Sequence, residues 1–413
     1  MIYLVILSAA LLIFFAQKLY YKKHAFTGLE YSVDFSVREV FEHEEFYVYE
    51  QISNNKTLPV PFLKVDTELP EGLSFHIIEK DDDGALRDTF PRVIHSVFVL
   101  RGKQVIRRRW RVHCNTRGTY RLGSVTLMAE DIFGTDQIVR VISPDQKDSA
   151  VTVLPRAIDL DKHFTVSKFT NGDFSVESGL LTDPLVKAGM REYIAGDPMN
   201  RINWKQSAVH DKLMVNLEDY TNRHQFNIIM NMQSRDFEKK IPGVPGSRFP
   251  VELCLTVVAS ILDRVSSENI TVKLFSNTYP RGYTEDTDTG DKSDILSKIY
   301  ISPPFRGKND MLDALRTLAA FELMISVPIE RLLDVIAADP YYFSDGGNII
   351  FVSSFLNERM INFCYMLRQR GVRCIFYITS SNINASIIPD DIEVHYRTYT
   401  DSSDILREGA LND

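Results

Sequence analysis

Residues 348–379 read NIIFVSSFLNERMINFCYMLRQRGVRCIFYIT, and this stretch decides the type of fold expected for the C-terminal half of the chain. Its two ends, Asn348–Ser353 and Val372–Thr379, are almost continuously apolar, as in strands of a parallel sheet that is covered on both faces. Between them, Asn357–Arg370 predicts a helix, and Gly371 suits the position just after a helix end. The stretch therefore predicts two strands of a parallel sheet joined by a helix.

The same alternation of strands and helices extends back to residue 227. Two further strands and three helices are predicted, at Asn227–Met232, Ile270–Phe275, Val251–Ser266, Asp310–Phe321 and Pro328–Ala338. In the first of these helices, apolar residues from Cys254 to Val265 recur at helical spacing. The resulting order of elements is typical of an open doubly wound α/β fold. We predict such a domain at residues 223–400, followed by a C-terminal tail at 401–413.

Residues 28–156 have a different pattern, in which short alternating strands are separated by turn residues. Val33, Phe35 and Val37 alternate with polar residues, and residues 105–114 (VIRRRWRVHC) alternate between basic and apolar side chains. Short strands at this spacing are typical of an antiparallel sandwich. We predict an all-β, Ig-like sandwich over 28–156, with the acidic turn 81–84 at a hairpin tip.

The first 23 residues are expected to form a transmembrane anchor. Ile2–Ala16 contains no charged residue, and extending it through Tyr21 gives roughly the 17–25 residues that a membrane-spanning helix needs. Lys18, Lys22 and Lys23 come after the apolar run, and by the positive-inside rule such flanks stay in the cytoplasm. We expect a single-pass protein of the cell membrane with the bulk of the chain cytoplasmic. The alternative is a cleaved signal peptide with an exported domain.

The overall composition argues against several classes of function. The 413 residues carry a formal net charge of −8, with a pI near 5.7, which argues against a dedicated nucleic-acid binder. The four cysteines form no C-x-x-C pair, so we expect buried, reduced thiols rather than a zinc site or a disulfide framework. Nucleotide-binding glycine loops and the common metalloprotease and serine-hydrolase motifs are missing, which lowers the expectation of catalysis.

The densest motif lies between the two predicted domains, at residues 190–219, MREYIAGDPMNRINWKQSAVHDKLMVNLED. It resembles the signature of the family called domain of unknown function 58, in which Arg-Glu-Tyr precedes Gly-Asp and an Arg-x-Ile-x-Trp-Lys-x-Ser-Ala core. The residues that match are Arg191, Glu192, Tyr193, Gly196, Asp197, Arg201, Ile202, Trp204, Lys205, Ser207, Ala208, Leu213 and Val215. Residues 117–123, 131–134 and 153–156 are similar to other parts of the family's sequence, so the resemblance covers most of the chain.

The resemblance implies a membrane-anchored protein whose C-terminal domain is similar to a von Willebrand factor A module. Such proteins are often encoded beside MoxR-type AAA+ ATPases and have a proposed role in assembling or maturing other proteins. No enzymatic activity is established for the family. We therefore expect a non-catalytic protein-interaction module with a MoxR-type AAA+ ATPase as its partner and with no cofactor.

The candidate binding site consists of nine motif residues: Arg191, Glu192, Tyr193, Gly196, Asp197, Arg201, Trp204, Lys205 and Ser207. The arginines and the lysine can pair with Glu192 and Asp197, while Trp204 offers a flat apolar surface. One interpretation is an ion-paired clamp that locks the linker 157–222 onto the α/β domain. The other is a recognition surface for a partner or a bound anion, in which arginine and tryptophan supply most of the binding energy.

A metal site is not expected. In a von Willebrand factor A module the metal follows the first strand, bound by an Asp-x-Ser-x-Ser run, and Asn231, Gln233 and Arg235 stand at those positions here. An amide in place of the carboxylate removes charge that magnesium requires, and Arg235 adds a repelling charge. Residues 285–294 (EDTDTGDKSD) superficially resemble a calcium loop, but the glycine and the following aspartate stand in reversed order. A solvated acidic loop is favoured there.

Two other hypotheses about function are open. One is a hydrolase or transferase with an unrecognised site around Asp197 and Lys205, which perturbed titration of either group in an open cleft would favour. The other is a purely structural scaffold, in which the motif only joins the two domains. In that case motif substitutions would lower the melting temperature and partner binding together.

Overall fold

The structure is a computed structural model that describes residues 2–80, 86–130, 137–142, 150–160, 187–193, 202–210, 212–218, 225–234, 249–267, 270–282, 298–323, 325–338, 348–380, 389 and 392–396. Its helices are α1 (Ile2–His24), α2 (Trp204–His210), α3 (Phe249–Ser267), α4 (Gly307–Ala320), α5 (Ile329–Ala338) and α6 (Glu358–Arg368). Its first thirteen strands are β1 (Leu29–Phe35), β2 (Glu39–Phe41), β3 (Glu45–Asn54), β4 (Val60–Glu68), β5 (Leu73–Phe75), β6 (Ile77–Lys80), β7 (Leu86–Thr89), β8 (Val93–Leu100), β9 (Gln104–Cys114), β10 (Gly118–Arg121), β11 (Val125–Glu130), β12 (Gln137–Ile142) and β13 (Ala150–Leu154). The later strands are β14 (Lys187–Glu192), β15 (Met214–Glu218), β16 (Gln225–Met230), β17 (Thr271–Ser276), β18 (Tyr300–Ile301), β19 (Phe305–Arg306), β20 (Asn348–Ser353), β21 (Cys374–Ile378) and β22 (Glu393–Tyr396).

The chain divides into two compact units. The first comprises residues 1–156 together with 315–321, and the second comprises 157–314 and 322–413. The last residues of α4 therefore group with the first unit, whereas the earlier residues of this helix belong to the second.

Antiparallel sheets make up most of the first unit. One has the strand order β1-β3-β9-β5 and another has the order β12-β11-β4-β8. A third, β10-β13-β2, contains a parallel pair, β13 with β2, and strands β6 and β7 form a separate hairpin. Strand β8 (VIHSVFVL) buries every second residue, so that one of its faces packs into the core and the other is exposed.

One carboxylate, Glu50 on β3, is buried in the first unit, with 3% of the residue exposed. The Tyr31 hydroxyl donates to one of its oxygens at 3.1 Å, and the Trp110 indole donates to the other at 3.3 Å. Burial raises the pKa of Glu50, and the lowering by Trp110, Tyr31 and the nearby Arg108 only partly offsets this rise.

The stability of Glu50→Gln relative to the wild type is expected to increase as the pH rises. Because the folded-state pKa of Glu50 lies above its ordinary value of 4.5, the carboxyl is protonated in both the folded and unfolded states below that value. As the pH rises through the folded-state pKa, the wild type loses stability by ionising a buried group, and Glu50→Gln does not. Urea unfolding of both proteins from about pH 4 to about pH 7 measures this difference. A difference that is independent of pH would contradict the raised pKa.

Arg117 links distant segments of the first unit. Only 7% of this residue is exposed, and its Nη1 donates to the carbonyl oxygens of Leu318, Ala319 and Phe321 at 3.0, 3.2 and 2.8 Å. A helix leaves its last carbonyl groups without partners inside the helix, and a cation is favoured there. The backbone N–H of Arg117 also donates to Glu42 at 2.7 Å. Arg117 therefore caps the end of α4.

A seven-stranded mixed sheet organises the second unit. Its strand order is β18-β17-β16-β20-β21-β22, and β19 also pairs with β17. The pairs from β17 to β22 in this order are parallel, whereas β18 and β19 run antiparallel to β17. Strand β21 is buried at every residue, and β20 at all but its first, which confirms the expectation from their apolar sequences.

The helix between β20 and β21, predicted at Asn357–Arg370, is present and spans Glu358–Arg368. Asn357 precedes α6, and its side chain accepts a hydrogen bond from the N–H of Met360 at 2.9 Å. Gly371 follows the helix with a φ of +78°, the left-handed conformation that glycine adopts without strain. The buried face of α6 packs into a core cluster that also contains residues of α5, β20 and β21.

The fold class expected from the sequence is wrong. It combined a transmembrane helix, an Ig-like sandwich and a doubly wound von Willebrand factor A-like domain. In the described residues, the first unit instead has three sheets and a hairpin, with one parallel strand pair, and the sheet of the second unit is mixed. The antiparallel strands β18 and β19 are two residues long, too short for an apolar period to reveal them.

The expected transmembrane helix at residues 1–23 is also wrong, because the described part of the chain holds no helix with the length and apolar character to cross a membrane. Helix α1 spans Ile2–His24, but its charge-free apolar run ends at Ala16. At about 1.5 Å per residue this run is about 22 Å long, whereas the hydrocarbon core of a bilayer is about 30 Å thick.

Candidate functional site

The motif residues of the second unit fold into two strands and a short helix, here called the motif module (β14, α2, β15 and Ile202). Strands β14 and β15 pair antiparallel, with Arg191 opposite Val215 and Glu192 opposite Met214. Ile202 forms a bridge to Val215 just before α2 begins. The segment predicted to be a linker therefore contains regular structure.

Ser207 holds α2 against β15. It is buried, and its hydroxyl donates to the carbonyl of Asn203 at 2.8 Å while it accepts from the N–H of Met214 at 2.8 Å. The N–H of Asn203 in turn donates to the carbonyl of Met214, also at 2.8 Å. These bonds connect the start of α2 to the start of β15. Ser207 therefore has a structural role in the motif module.

Other residues of the motif module, and those that flank β15, face the solvent. Lys205 is exposed, Val209 is 70% exposed and Leu213 is 44% exposed. Lys212 pairs with Glu192 at 2.6 Å, with 63% of each side chain exposed. This exposed set of apolar and charged side chains (Lys205, Val209, Lys212 and Leu213) is called the motif surface below.

The ion pair of Glu192 with Lys212 was not indicated by the sequence, which suggested the motif's own arginines and Lys205 as partners. Lys212 meets Glu192 because β14 and β15 pair in the observed register, and the sequence alone does not specify that register. Tyr193 is half-buried, and its N–H donates to the carbonyl of Leu213 at 2.8 Å.

Five of the nine candidate residues lie wholly or in their side chains outside the part of the chain that the structure describes. Gly196, Asp197 and Arg201 lie outside the described residues, and Arg191 and Trp204 are described by their backbone alone. Residues 81–84 and 285–294, and the tail 401–413, also lie outside the described part of the chain.

A second polar cluster lies where parallel strands of the second unit end, and we call it the amide cluster. Asn231 follows β16, Asn277 follows β17 and Ser353 ends β20, and all three are fully buried. Asn277 Nδ2 donates to Asn231 Oδ1 at 3.0 Å, and Asn231 Nδ2 donates to Ser353 Oγ at 2.9 Å. In open α/β sheets ligands commonly bind at this end of the strands.

The oxygen atoms of the amide cluster are engaged by the protein itself. Asn231 Oδ1 accepts a second hydrogen bond, from the N–H of Gln233 at 3.0 Å, and Asn277 Oδ1 accepts from the N–H of Met232 at 2.8 Å. Gln233 Oε1 accepts from the N–H of Ile329 at 3.2 Å. A hard metal ion needs oxygen lone pairs directed at it, and these are directed at N–H groups. Asn231 and Gln233 therefore connect strands and loops.

Among the described residues, no group of three or more His, Cys, Asp or Glu side chains could hold a metal ion. All four cysteines are buried, as predicted. Burial raises the pKa of both Cys114 and Cys254 to about 12. Since the thiolate is the reactive form, these two thiols are poor nucleophiles at neutral pH.

Comparison with known proteins gives similarities of low TM-score to several solved structures. No family model matches the chain, and no curated protein matches it. Among solved structures it is similar to the CARDB domain of a Pyrococcus furiosus protein determined with di-metal ions (14% identity, 31% of this chain, 96% of that chain, TM-score 0.18). It is also similar to the collagen-binding subdomain of the Enterococcus faecalis surface protein ACE (9% identity, 30% and 96% of the two chains, TM-score 0.20). A third similarity is to the C-terminal domain of wzt (11% identity, 32% and 77%, TM-score 0.21). Similarities of this size assign neither a fold nor an activity.

Proposed function

We propose that this chain is a non-catalytic protein-interaction module, related to the domain of unknown function 58 family, that works at a membrane with a MoxR-type AAA+ ATPase in assembling or maturing other proteins. The motif surface is the observation that carries the proposal. It comprises two exposed apolar side chains and two lysines, on a module that buried residues hold together.

The division of the motif into buried and exposed residues supports a binding role. Ile202, Ser207 and Val215 are buried, and their contacts account for the folding of the motif module. Lys205 and Leu213 also match the family signature, yet they face the solvent, so packing does not explain them. Exposed apolar side chains beside charges are typical of protein interfaces, where the apolar contacts supply affinity and the charges supply orientation.

The membrane part of the proposal rests on α1. Several of its large apolar side chains are exposed, among them Leu12 at 71% and Ile13 at 66%, and Lys18 and Lys23 follow them. Contact with lipid removes such side chains from water, and anionic headgroups attract the lysines.

The motif surface is expected to lose its partner when its apolar side chains become acidic. We expect an AAA+ ATPase to be captured with the wild type from crosslinked native membranes. The variant Val209→Asp/Leu213→Asp should capture about tenfold less of it, which corresponds to a loss of about 1.4 kcal/mol of binding free energy. The measurement is quantitative mass spectrometry of the captured ATPase. The melting temperature should be unchanged, because both side chains are exposed.

Two variants serve as controls. Val139→Asp/Val141→Asp makes the same change at residues that are 55% and 59% exposed in the first unit, and it should keep the ATPase. Ser207→Ala should lower the melting temperature without removing the motif surface. If the Val209 and Leu213 variant captures as much ATPase as the wild type, the motif is a scaffold. If the wild type captures none, or is recovered away from membranes, the ATPase or the membrane part of the proposal is wrong.

A further inference from the structure

The outer face of β9 in the first unit carries a row of arginines. Arg107, Arg109 and Arg111 alternate along the strand and are all exposed, so they lie on one face about 7 Å apart, at about 3.4 Å per residue. We call them the arginine row. The residues directly opposite them on β3 are Gln51, Tyr49 and Tyr47, respectively.

Two of these arginines contact neutral groups. Arg107 Nε donates to Gln51 Oε1 at 2.7 Å, and the Arg109 guanidinium lies 5.2 Å from the centre of the Tyr47 ring. Within the described residues neither guanidinium has a carboxylate at ion-pair distance, whereas Arg111 Nε lies 3.5 Å from an oxygen of Glu45. The arginine row therefore concentrates positive charge in a chain whose net charge is −8.

Strand β9 also has an open edge beside the arginine row. Strand β3 pairs with one edge over residues 104–113, but on the other edge β5 pairs only with residues 112–114. On that second edge the N–H of His76 donates to the carbonyl of Arg111 at 2.9 Å. Because backbone groups of alternate residues in a strand point the same way, those of Arg107 and Arg109 face this edge too. No strand in the described ranges pairs with residues 104–110 there.

We propose that this edge of β9 binds an extended acidic segment of a partner protein as an added strand. The backbone of the segment pairs with residues 104–110, and Asp or Glu at every second position stands beside Arg107 and Arg109. The spacings match, because alternate residues of any extended strand are about 7 Å apart. Arginine binds a carboxylate through two parallel hydrogen bonds. This site is independent of the motif surface, so either proposal can fail alone.

The test measures binding of the full-length chain to two fluorescent peptides of identical composition. One alternates glutamate with threonine, and the other carries its glutamates in one block. We expect the alternating peptide to bind at least about tenfold more tightly, and Arg107→Gln/Arg109→Gln to weaken it by about tenfold. The variant Arg121→Gln/Arg370→Gln removes the same charge at two exposed positions elsewhere and should leave the affinity unchanged.

Backbone pairing is tested separately with N-methylated peptides. Methylation of alternate backbone nitrogens blocks strand addition in one register only, so one of two methylated alternating peptides should lose binding and the other should retain it. Equal behaviour of the two methylated peptides, or equal affinity for the alternating and block peptides, would overturn the proposal. So would tighter, arginine-dependent binding of an oligothymidylate, which would make the surface a nucleic-acid site. If the glutamine variant has a lowered melting temperature, Arg107→Lys/Arg109→Lys replaces it in the test. The lysine variant keeps the charge and should weaken binding because the paired hydrogen bonds are lost.

Discussion

Arg117→Ala is expected to lower the free energy of unfolding by about 2–3 kcal/mol, because the two hydrogens of Nη1 are shared among three buried carbonyl oxygens and each hydrogen bond contributes about 1 kcal/mol. The guanidinium bonds the carbonyls of Leu318, Ala319 and Phe321 at the end of α4. Without it, these oxygens lose their charged donor in a place that water does not easily reach. Urea unfolding followed by circular dichroism measures the loss.

The control for this prediction is Arg121→Ala, which removes an exposed arginine four residues further along the chain. It should change stability by less than about 0.5 kcal/mol. The loss of stability for Arg117→Lys should lie between those of Arg117→Ala and Arg121→Ala, because an ammonium carries the charge but does not reproduce the planar arrangement of guanidinium donors. A loss for Arg117→Ala as small as that for Arg121→Ala would show that the cap contributes nothing.

Asn231→Ala is expected to cost about 3–4 kcal/mol, through lost hydrogen bonds and the small cavity left behind. Its side chain is fully buried and connects Gln233, Asn277 and Ser353. Removing it leaves the Gln233 N–H without the Oδ1 acceptor and breaks the link between the ends of β16, β17 and β20. Thermal and urea unfolding of the two proteins under identical conditions give the difference.

A matched comparison is Asn231→Asp, which keeps the size and the accepting oxygen. A buried carboxylate ionises at a cost, so its folded-state pKa is raised and this variant should be less destabilised in acid than at neutral pH. Asn231→Ala has no titratable group at this position, so its loss of stability relative to the wild type should not depend on pH in this way. If both variants were as stable as the wild type, the amide cluster would be dispensable for the fold.

Local signals predicted the elements of the second unit well. Helix α6 lies between Asn357 and Gly371 because a side-chain acceptor at one end and a left-handed glycine at the other are properties of single residues. Features that depend on distant segments were not predictable. The parallel pairing of β13 with β2 and the antiparallel β18 and β19 follow from how segments meet in three dimensions. Errors of this kind made the expected fold class wrong.

The same distinction applies to the candidate sites. The motif stood out in the sequence, but which of its residues are buried depends on the pairing of β14 with β15. Arg117 lies in a segment that the sequence distinguishes only by its resemblance to the family, and the carbonyl groups that it binds lie about two hundred residues later. The alternation of residues 105–114 was visible, whereas the open edge of β9 became apparent only from the strand order.

The assignment of residues 315–321 to the first unit has a consequence for biosynthesis. A ribosome completes residue 156 roughly 165 residues before it completes residue 321. At about 5–20 residues per second, the interval is on the order of ten to thirty seconds. During that time the nascent first unit lacks the carbonyl groups that Arg117 binds in the complete structure. The N-terminal unit is therefore completed only after much of the second unit has been translated, and a fragment that stops at residue 156 lacks part of its own structure.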